Sequence, residues 1–293
     1  MQPSSPQPAR TPLAFVFAGG GSLGAIEVGM LAALVRAGVR PDFVVGASVG
    51  AINAVYFAGE PDEQGVARLA EIWRGIRRGD VFPLSGTRGA LALLGHTGSF
   101  VDAASLRRLL ERNLRFAQLE HTQIPAHVVA TDFRSGAEVV LSEGSAVEAL
   151  LASAAIPAVF PPVHRDGRVL VDGGVANNTP LSAAVELGAR RILVLPTGFS
   201  CQLGAAPQAP LAAALHALNL LISKQLLADI QRLREEVEVR VVPPLCPLTR
   251  AAYDFSGSEE LIARADRETA RWIDSGGLER SDPPLALAPH RHD

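Results

Sequence analysis

The chain has 293 residues, enough to bury a substantial core in one large domain or two small ones. Its net charge of −3 provides no basic excess for binding nucleic acid. The only lysine, Lys224, lies outside any Gly-Lys-Ser/Thr motif, which argues against a phosphate-binding loop and against Schiff-base chemistry. Cys201 and Cys246 have neither metal-ligand nor redox spacing, so we expect two thiols and no metal site.

Both ends of the chain are predicted to lie outside the folded part. Residues 1–12 are polar and Pro-rich and lack the apolar core of a signal peptide, so we expect a disordered N-terminal segment. Residues 281–293 are expected to form a disordered tail. No stretch reaches the roughly 20 apolar residues that cross a bilayer, and we therefore expect a cytoplasmic protein. Residues 13–275 remain as a single domain.

The first predicted strand, 13–17, leads into a glycine-rich loop and then into a helix over 25–37. Gly19, Gly20 and Gly21 follow one another in this loop, so no side chain obstructs their backbone N–H groups. Such a loop can bind phosphate, or it can form an oxyanion hole that stabilises a tetrahedral intermediate.

The phosphate alternative has a partial match in the sequence. Gly19, Gly21 and Gly24 fit the dinucleotide fingerprint, and Asp42 lies near the distance at which an acidic residue would hold the ribose. However, Asp42 opens the second predicted strand, whereas that strand ends in a serine-containing turn. We therefore favour the oxyanion hole.

That second strand runs into Gly46-Ala47-Ser48-Val49-Gly50, followed by small and apolar residues that can form a helix. A strand, a sharp turn and a helix around Gly-x-Ser-x-Gly are the context of a nucleophile elbow. Gly46 and Gly50 suit it because so tight a turn leaves no room for a Cβ atom. The pattern predicts Ser48 as the nucleophile of an acyl hydrolase, beside the positive end of a helix.

Residues 60–123 have a different character, because predicted helices alternate with loops and strands are scarce. We interpret this region as a helical insertion that covers the active site. His96 and His121 lie within it and are expected to be surface or packing residues.

Strands are predicted again at 126–132, 137–141 and 168–172. Asp172 closes the last of these, and Gly173 and Gly174 leave space beside it. Open α/β sheets place catalytic groups at the carboxyl ends of strands, so Asp172 is a candidate partner for Ser48.

The remaining elements are strands at 191–195 and 237–242 and helices at 211–233 and 258–273. The helix at 211–233 has one apolar face, which either packs on the sheet or contacts lipid.

Residues 19–24, 46–50, 152–157 and 172–174, in this order, strongly resemble the motifs of the patatin-like phospholipase family. The resemblance covers most of the chain and implies an α/β fold, a three-layer α/β/α sandwich with a mainly parallel central sheet. It also implies a Ser48–Asp172 dyad that hydrolyses acyl esters of phospholipids or related lipids.

By the same resemblance, the amides of Gly20, Gly21 and Ser22 would form the oxyanion hole, with Gly19, Gly24, Gly46, Gly50, Gly173 and Gly174 as motif glycines. The chain departs from the family pattern at Leu23, where many members carry arginine, and at Ala18, where many carry aspartate. The change at Leu23 bears on substrate preference, whereas the backbone donors survive it.

The resulting hypothesis is a serine acyl hydrolase without metal or organic cofactor, which binds a lipid or acyl-ester substrate, touches membrane surfaces transiently and binds no nucleic acid. Three alternatives stay open. The first is a Ser…Asp…His triad that uses His216, His290 or His292. The others are a carrier-protein acyltransferase and a non-catalytic lipid- or nucleotide-binding module.

Overall fold

A computed structural model of the chain describes residues 11–83, 99–198, 210–248, 250, 252–280 and 287, without the side chains of 210–219. Its centre is a sheet of eight strands in the pairing order β5-β6-β3-β2-β1-β7-β8, with β4 also paired to β3. The strands are β1 Leu13–Phe17, β2 Phe43–Ala47, β3 Ala126–Asp132, β4 Glu138–Leu141, β5 Val163–Arg165, β6 Arg168–Asp172, β7 Arg191–Leu195 and β8 Glu238–Val241.

The helices of the described residues are α1 Ala25–Arg36, α2 Val49–Gly59, α3 Glu63–Gly75, α4 Arg78–Val81, α5 Ala104–Asn113, α6 Ala146–Ser153, α7 Gly174–Asn177, α8 Leu181–Glu186, α9 Pro210–Leu233 and α10 Ser258–Asp274. Short 3-10 turns lie at Gly21–Gly24, Leu119–His121 and Phe255–Gly257.

The sheet is buried on both faces, which gives three layers. Side chains alternate along a strand, so Phe15 and Phe17 of β1 enter one core cluster, whereas Ala14 and Val16 enter the other. Helices α1, α2 and α3 cover the first face, and α8 and α9 cover the second. Strands β3, β2, β1, β7 and β8 are parallel, and β4, β5 and β6 pair antiparallel. The predicted three-layer, mainly parallel fold is confirmed.

The register around β3 positions the rest of the molecule. Val128 and Val129 pair with both β2 and β4, whereas Ala130 and Thr131 pair with both β4 and β6. A strand has only two edges, so β4 occupies one edge of β3 and β2 and β6 share the other. Strands β2 and β6 therefore meet end to end, and they run toward each other.

Several expectations concern the ends and the cysteines. Residues 1–10 lie outside the described residues, and the Pro12 carbonyl accepts hydrogen bonds from the amides of Arg190 and Arg191. Of the predicted tail the structure describes Leu287, which is buried in the second core cluster. Cys246 is disulfide-bonded, so its prediction as a thiol is wrong, while Cys201 lies outside the described residues.

The two interpretations of the helix at 211–233 can be compared over its C-terminal half. Leu226 and Leu233 of α9 are buried in the second core cluster, as packing on the sheet requires, whereas Leu221 is 65% exposed. None of the helices among the described residues is long and apolar enough to cross a membrane.

Candidate active site

Ser48 lies at the tip of a strained turn between β2 and α2. Its backbone has φ 55° and ψ −128°, a conformation that costs a non-glycine residue on the order of 1–3 kcal/mol. Helix α2 begins at the next residue, Val49, so the positive end of the helix faces the serine. This is the strand–turn–helix arrangement that the Gly-x-Ser-x-Gly pattern predicts.

The two flanking glycines are required by close backbone approach. A Cβ atom at Gly50 would lie 2.6 Å from the carbonyl oxygens of both Phe17 and Ala18. A Cβ atom at Gly46 would lie 2.5 Å from the carbonyl oxygen of Gly50. The elbow is therefore pressed against the end of β1, and any larger residue at either position must displace backbone.

The meeting of β2 and β6 brings Asp172 to the serine. Ala47 pairs with Val129, so Ser48 comes level with Ala130, and Asp172 pairs with that same Ala130. The sequence predicted Asp172 at the carboxyl end of a strand, as in a parallel sheet. Asp172 does end β6, but β6 pairs antiparallel with β3, and Asp172 arrives at Ser48 because β6 ends against β2.

The hydroxyl of Ser48 donates a hydrogen bond to Oδ2 of Asp172 at 2.6 Å. The other carboxylate oxygen, Oδ1, accepts the amide of Gly174 at 2.7 Å. Burial raises the pKa of Asp172 from its usual 3.8 to about 6, although the hydrogen bonds from Ser48 and Gly174 oppose the rise. The carboxylate is therefore ionised at neutral pH and more basic than an ordinary aspartate.

Ser153, which the motifs did not indicate as a site residue, fixes the backbone of the nucleophile elbow. Its Oγ accepts the Ser48 amide at 2.8 Å and donates to the Val129 carbonyl at 2.5 Å. Its carbonyl accepts the Gly173 amide, and the Ala155 carbonyl accepts the Asp172 amide. The last residue of α6 and the chain just after it thus bind both sides of the β2–β6 junction.

The glycine-rich loop is fixed by two residues whose role the sequence did not indicate. The Gly19 carbonyl accepts hydrogen bonds from Thr197 Oγ1 at 2.8 Å and Asn178 Nδ2 at 3.2 Å. The Gly19 amide donates to the Asn178 carbonyl. Asn178 lies two residues before Pro180, which is the N-cap residue of α8. Because a trans peptide is planar, these contacts also fix the direction of the Gly20 amide, opposite to the Gly19 carbonyl.

The three amides predicted for the oxyanion hole differ in availability. The Ser22 amide donates to the Ala252 carbonyl at 2.7 Å, so it is occupied, and the prediction for Ser22 does not hold in this arrangement. Within the described ranges the amides of Gly20 and Gly21 have no such acceptor. Gly21, with φ +58°, lines the same cavity as Ser48.

A buried polar network supports the loop and the elbow together. Asn53 of α2 donates through Nδ2 to the Gly24 carbonyl at 2.9 Å and to the Glu27 carboxyl at 2.7 Å. Its Oδ1 accepts the indole N–H of Trp73 at 2.9 Å. Burial raises the pKa of Glu27 well above its usual range. The network joins the glycine-rich loop, α1, α2 and α3. Within it, Glu27 and Asn53 have no exposure to solvent.

An apolar cavity opens beside Ser48. The helical region between 60 and 123 supplies much of its wall, including Leu69, Ile72 and Trp73 of α3 and Leu106, Leu109 and Leu110 of α5. Ala154 and Ile156 line it too, so part of the 152–157 segment forms a wall of this cavity. His96 lies outside the described residues, and His121 is not among the residues that line the cavity.

The dinucleotide alternative does not fit the geometry. Asp42 accepts the Leu13 amide at 2.8 Å, at the start of β1. The glycine-rich loop follows the carboxyl end of that strand, so Asp42 and the loop lie at opposite ends of β1. For the triad alternative, the imidazole of His216 and both His290 and His292 lie outside the described residues, and the Ser48 hydroxyl donates to Asp172.

The part of the chain that contains this site matches a model of a known protein family. The family model described as "Patatin-like phospholipase" matches residues 15–185, more than half of the chain. The chain belongs to the patatin-like phospholipase family. The matched range contains the glycine-rich loop, the Ser48 elbow and Asp172.

Among its relatives are mouse patatin-like phospholipase domain-containing protein 6, 29% identical over 188 residues, and the Drosophila melanogaster neuropathy target esterase sws, 27% identical over 191 residues. Each match covers 64% of this chain and 13% of the relative, so the chain spans about an eighth of these proteins. Human GIVD cytosolic phospholipase A2 shares the fold, with a TM-score of 0.52 at 12% identity, over 92% of this chain and 59% of that one.

Proposed function

We propose that this family member is a serine acyl hydrolase that cleaves fatty-acyl esters of phospholipids or related lipids through Ser48 and Asp172. The proposal rests on one observation, the 2.6 Å hydrogen bond from the Ser48 hydroxyl to a buried carboxylate whose pKa is raised to about 6. A carboxylate in this position can accept the serine proton directly, so no imidazole is needed.

The first half-reaction forms an acyl-enzyme. Ser48 Oγ attacks the ester carbonyl carbon while its proton passes to Asp172 Oδ2. The tetrahedral intermediate then collapses, the bond to the leaving alcohol breaks, and Asp172 returns the proton to the leaving oxygen. In the second half-reaction a water attacks the acyl carbon, Asp172 takes and returns its proton, and the fatty acid leaves Ser48.

The negative charge on the intermediate would be stabilised by the amides of Gly20 and Gly21. Removal of a single oxyanion donor typically costs 10²–10³ in kcat, so the direction of these amides matters as much as the nucleophile. Thr197 and Asn178 act as positioning residues in this scheme, because they hold the peptide that carries the Gly20 N–H.

The apolar cavity would receive the acyl chain. It shares Ser48 and Gly21 with the reaction centre, and its remaining walls are predominantly hydrophobic. An acyl chain placed there brings its carbonyl carbon toward the serine, while the headgroup points outward. This arrangement favours a lipid ester over a small polar ester.

The test is covalent labelling with a fluorophosphonate that carries an alkyl chain, read by intact mass. We expect one adduct on the wild-type protein and none on Ser48→Ala. Ser135→Ala, in an exposed turn, serves as the matched serine control and should label normally. Hydrolysis of p-nitrophenyl esters of increasing chain length gives the activity readout. An adduct that survives in Ser48→Ala would refute the assignment.

A further inference from the structure

A second pocket, of about 670 Å³, lies outside the apolar cavity and shares one residue with it. Phe255 lines both spaces, and it packs against Trp73 and Phe82 with ring centroids 6.3 Å and 6.1 Å away. Phe255 therefore borders both the apolar cavity, which Ser48 also lines, and an outer pocket lined mainly by charged and polar side chains. We call the latter the outer pocket.

The chain from Ile76 to Phe82 divides its side chains between the two spaces. Ile76, Val81 and Phe82 line the apolar cavity, whereas Arg77 and Arg78 line the outer pocket. A single short segment thus lines the apolar cavity with hydrocarbon side chains and the outer pocket with guanidinium groups. The arrangement matches an amphiphile whose apolar part lies inside and whose charged part lies at the mouth.

The three arginines of the outer pocket differ in their partners. Arg250 is paired with Asp254 at 3.2 Å and with Glu260 at 2.7 Å. Arg78 lies over the ring of Tyr253, 5.8 Å from its centroid, and Arg77 donates to the Arg74 carbonyl at 2.8 Å.

Across the described part of the chain, no carboxylate forms an ion pair with either Arg77 or Arg78. Among the residues that line the outer pocket there are three arginines and two carboxylates, and the carboxylate of Asp80 accepts the backbone amide of Arg77 at 2.7 Å.

We propose that Arg77 and Arg78 bind the phosphate of a glycerophospholipid headgroup while the acyl chain occupies the apolar cavity. This inference rests on the proposed function, since it places the substrate of that same site. Guanidinium groups suit the task because their planar N–H donors pair with phosphate oxygens in a bidentate manner. The glycine-rich loop itself carries no charged side chain between residues 18 and 24.

The test measures binding without turnover, on protein that carries Ser48→Ala. The probe is monomeric octylphosphocholine, titrated calorimetrically at constant ionic strength, and octyl maltoside provides a neutral headgroup on the same chain. We expect Arg78→Ala and Arg77→Ala each to weaken octylphosphocholine binding about tenfold, the usual effect of losing one charge-assisted hydrogen bond. Affinity for octyl maltoside should change less than about twofold, as expected when the lost group makes no contact with the probe.

Two further variants separate charge from packing. Arg78→Lys keeps the charge but loses bidentate geometry, so it should bind the phosphocholine with intermediate affinity. Arg134→Ala removes an exposed arginine from the turn after β3 and should bind both probes as the parent does. Equal weakening of both probes by Arg78→Ala would mean that the arginine only supports Tyr253, and it would overturn the proposal.

Two other sources of anionic charge give distinct outcomes. If inorganic phosphate binds as tightly as octylphosphocholine, the pocket recognises free phosphate, and the headgroup assignment is wrong. If Arg78→Ala reduces co-sedimentation of the protein with phosphatidylglycerol vesicles but leaves the binding of monomeric octylphosphocholine unchanged, the arginines attract a membrane surface. The headgroup assignment is then again wrong. The binding test requires no hydrolysis and the labelling test requires no headgroup binding. A failure of the proposed headgroup site can therefore be distinguished from a failure of the proposed nucleophile Ser48.

Discussion

Asp172→Asn separates the proposed catalytic role of Asp172 from its effect on stability. Asparagine has nearly the same shape as aspartate. Its Oδ1 can still accept the Gly174 amide, and its Nδ2 can face the Ser48 oxygen. The substitution removes the proposed proton acceptor but leaves the packing at the β2–β6 junction unchanged. We therefore expect the variant to fold and to lose turnover.

The magnitude follows from the pKa of Asp172. Its rise from 3.8 to about 6 means that the folded protein holds this carboxylate less favourably than the unfolded chain does. At about 1.36 kcal/mol per pKa unit, ionised Asp172 costs the folded state about 3 kcal/mol at neutral pH. Asparagine carries no charge, so Asp172→Asn should raise the free energy of unfolding by about 1 to 3 kcal/mol, the lower bound allowing for weaker hydrogen bonds.

The gain should depend on pH in a defined direction. Below about pH 4 aspartate is protonated in both states, so wild type and variant should have similar stability. As pH rises to about 6, the unfolded state ionises first and wild type loses stability relative to the variant. Above about pH 6 the difference should stay constant.

The assay is urea unfolding of both proteins from pH 4 to pH 8, combined with hydrolysis of a p-nitrophenyl ester. Glu138→Gln is a matched control for the removal of a partly buried carboxylate outside the site, because burial also raises the pKa of Glu138. A variant less stable than wild type at pH 7 would refute the claim that burial of the charge dominates at this position. Near-wild-type turnover in Asp172→Asn would remove Asp172 from the mechanism.

Four further outcomes follow. Wild-type kcat/KM should rise with pH through about 6, as Asp172 ionises, and a profile flat from pH 5 to 8 would contradict this. Thr197→Val, an isosteric change, should lower kcat about tenfold without changing KM and should weaken a trifluoromethyl ketone inhibitor in parallel; a change in KM alone would oppose the positioning role. Ser153→Ala leaves the Ser48 amide and the Val129 carbonyl unpaired, so urea unfolding should show a loss of about 1–3 kcal/mol. Glu27→Gln should leave stability at pH 7 within about 1 kcal/mol, because burial already favours the protonated acid, whereas Glu27→Leu should lose more by removing the acceptor of Asn53.

The sequence predicts those parts of the site that depend on local chain geometry. Ser48 could be identified because its turn requires glycine at fixed spacings on both sides, and a strand and a helix must flank it. Asp172 could be proposed because a strand ends there and two glycines follow. In both cases the physical constraint acts over a few residues, so the pattern of a few residues reveals it.

The sequence does not predict contacts between distant segments. Ser153 is 105 residues from the Ser48 amide that it accepts, and Asn178 is 159 residues from the Gly19 carbonyl. The Ser22 amide meets the Ala252 carbonyl for the same reason, and no local pattern could indicate that this amide is occupied. Strand direction is equally hidden, because β6 has the same composition whether it pairs parallel or antiparallel.

The direction of β6 accounts for the chemistry of Asp172. A residue at the carboxyl end of a parallel strand lies where the strands of the sheet end, and water there solvates its charge. Strand β6 instead starts beyond the end of β3 and runs inward, so Asp172 stops at the level of Ala130, against the end of β2. The same inward path buries the carboxylate, raises its pKa and places it on the Ser48 hydroxyl. Basicity and proximity therefore have one structural cause, and a change that opens the β2–β6 junction should lower the pKa and lengthen the hydrogen bond together.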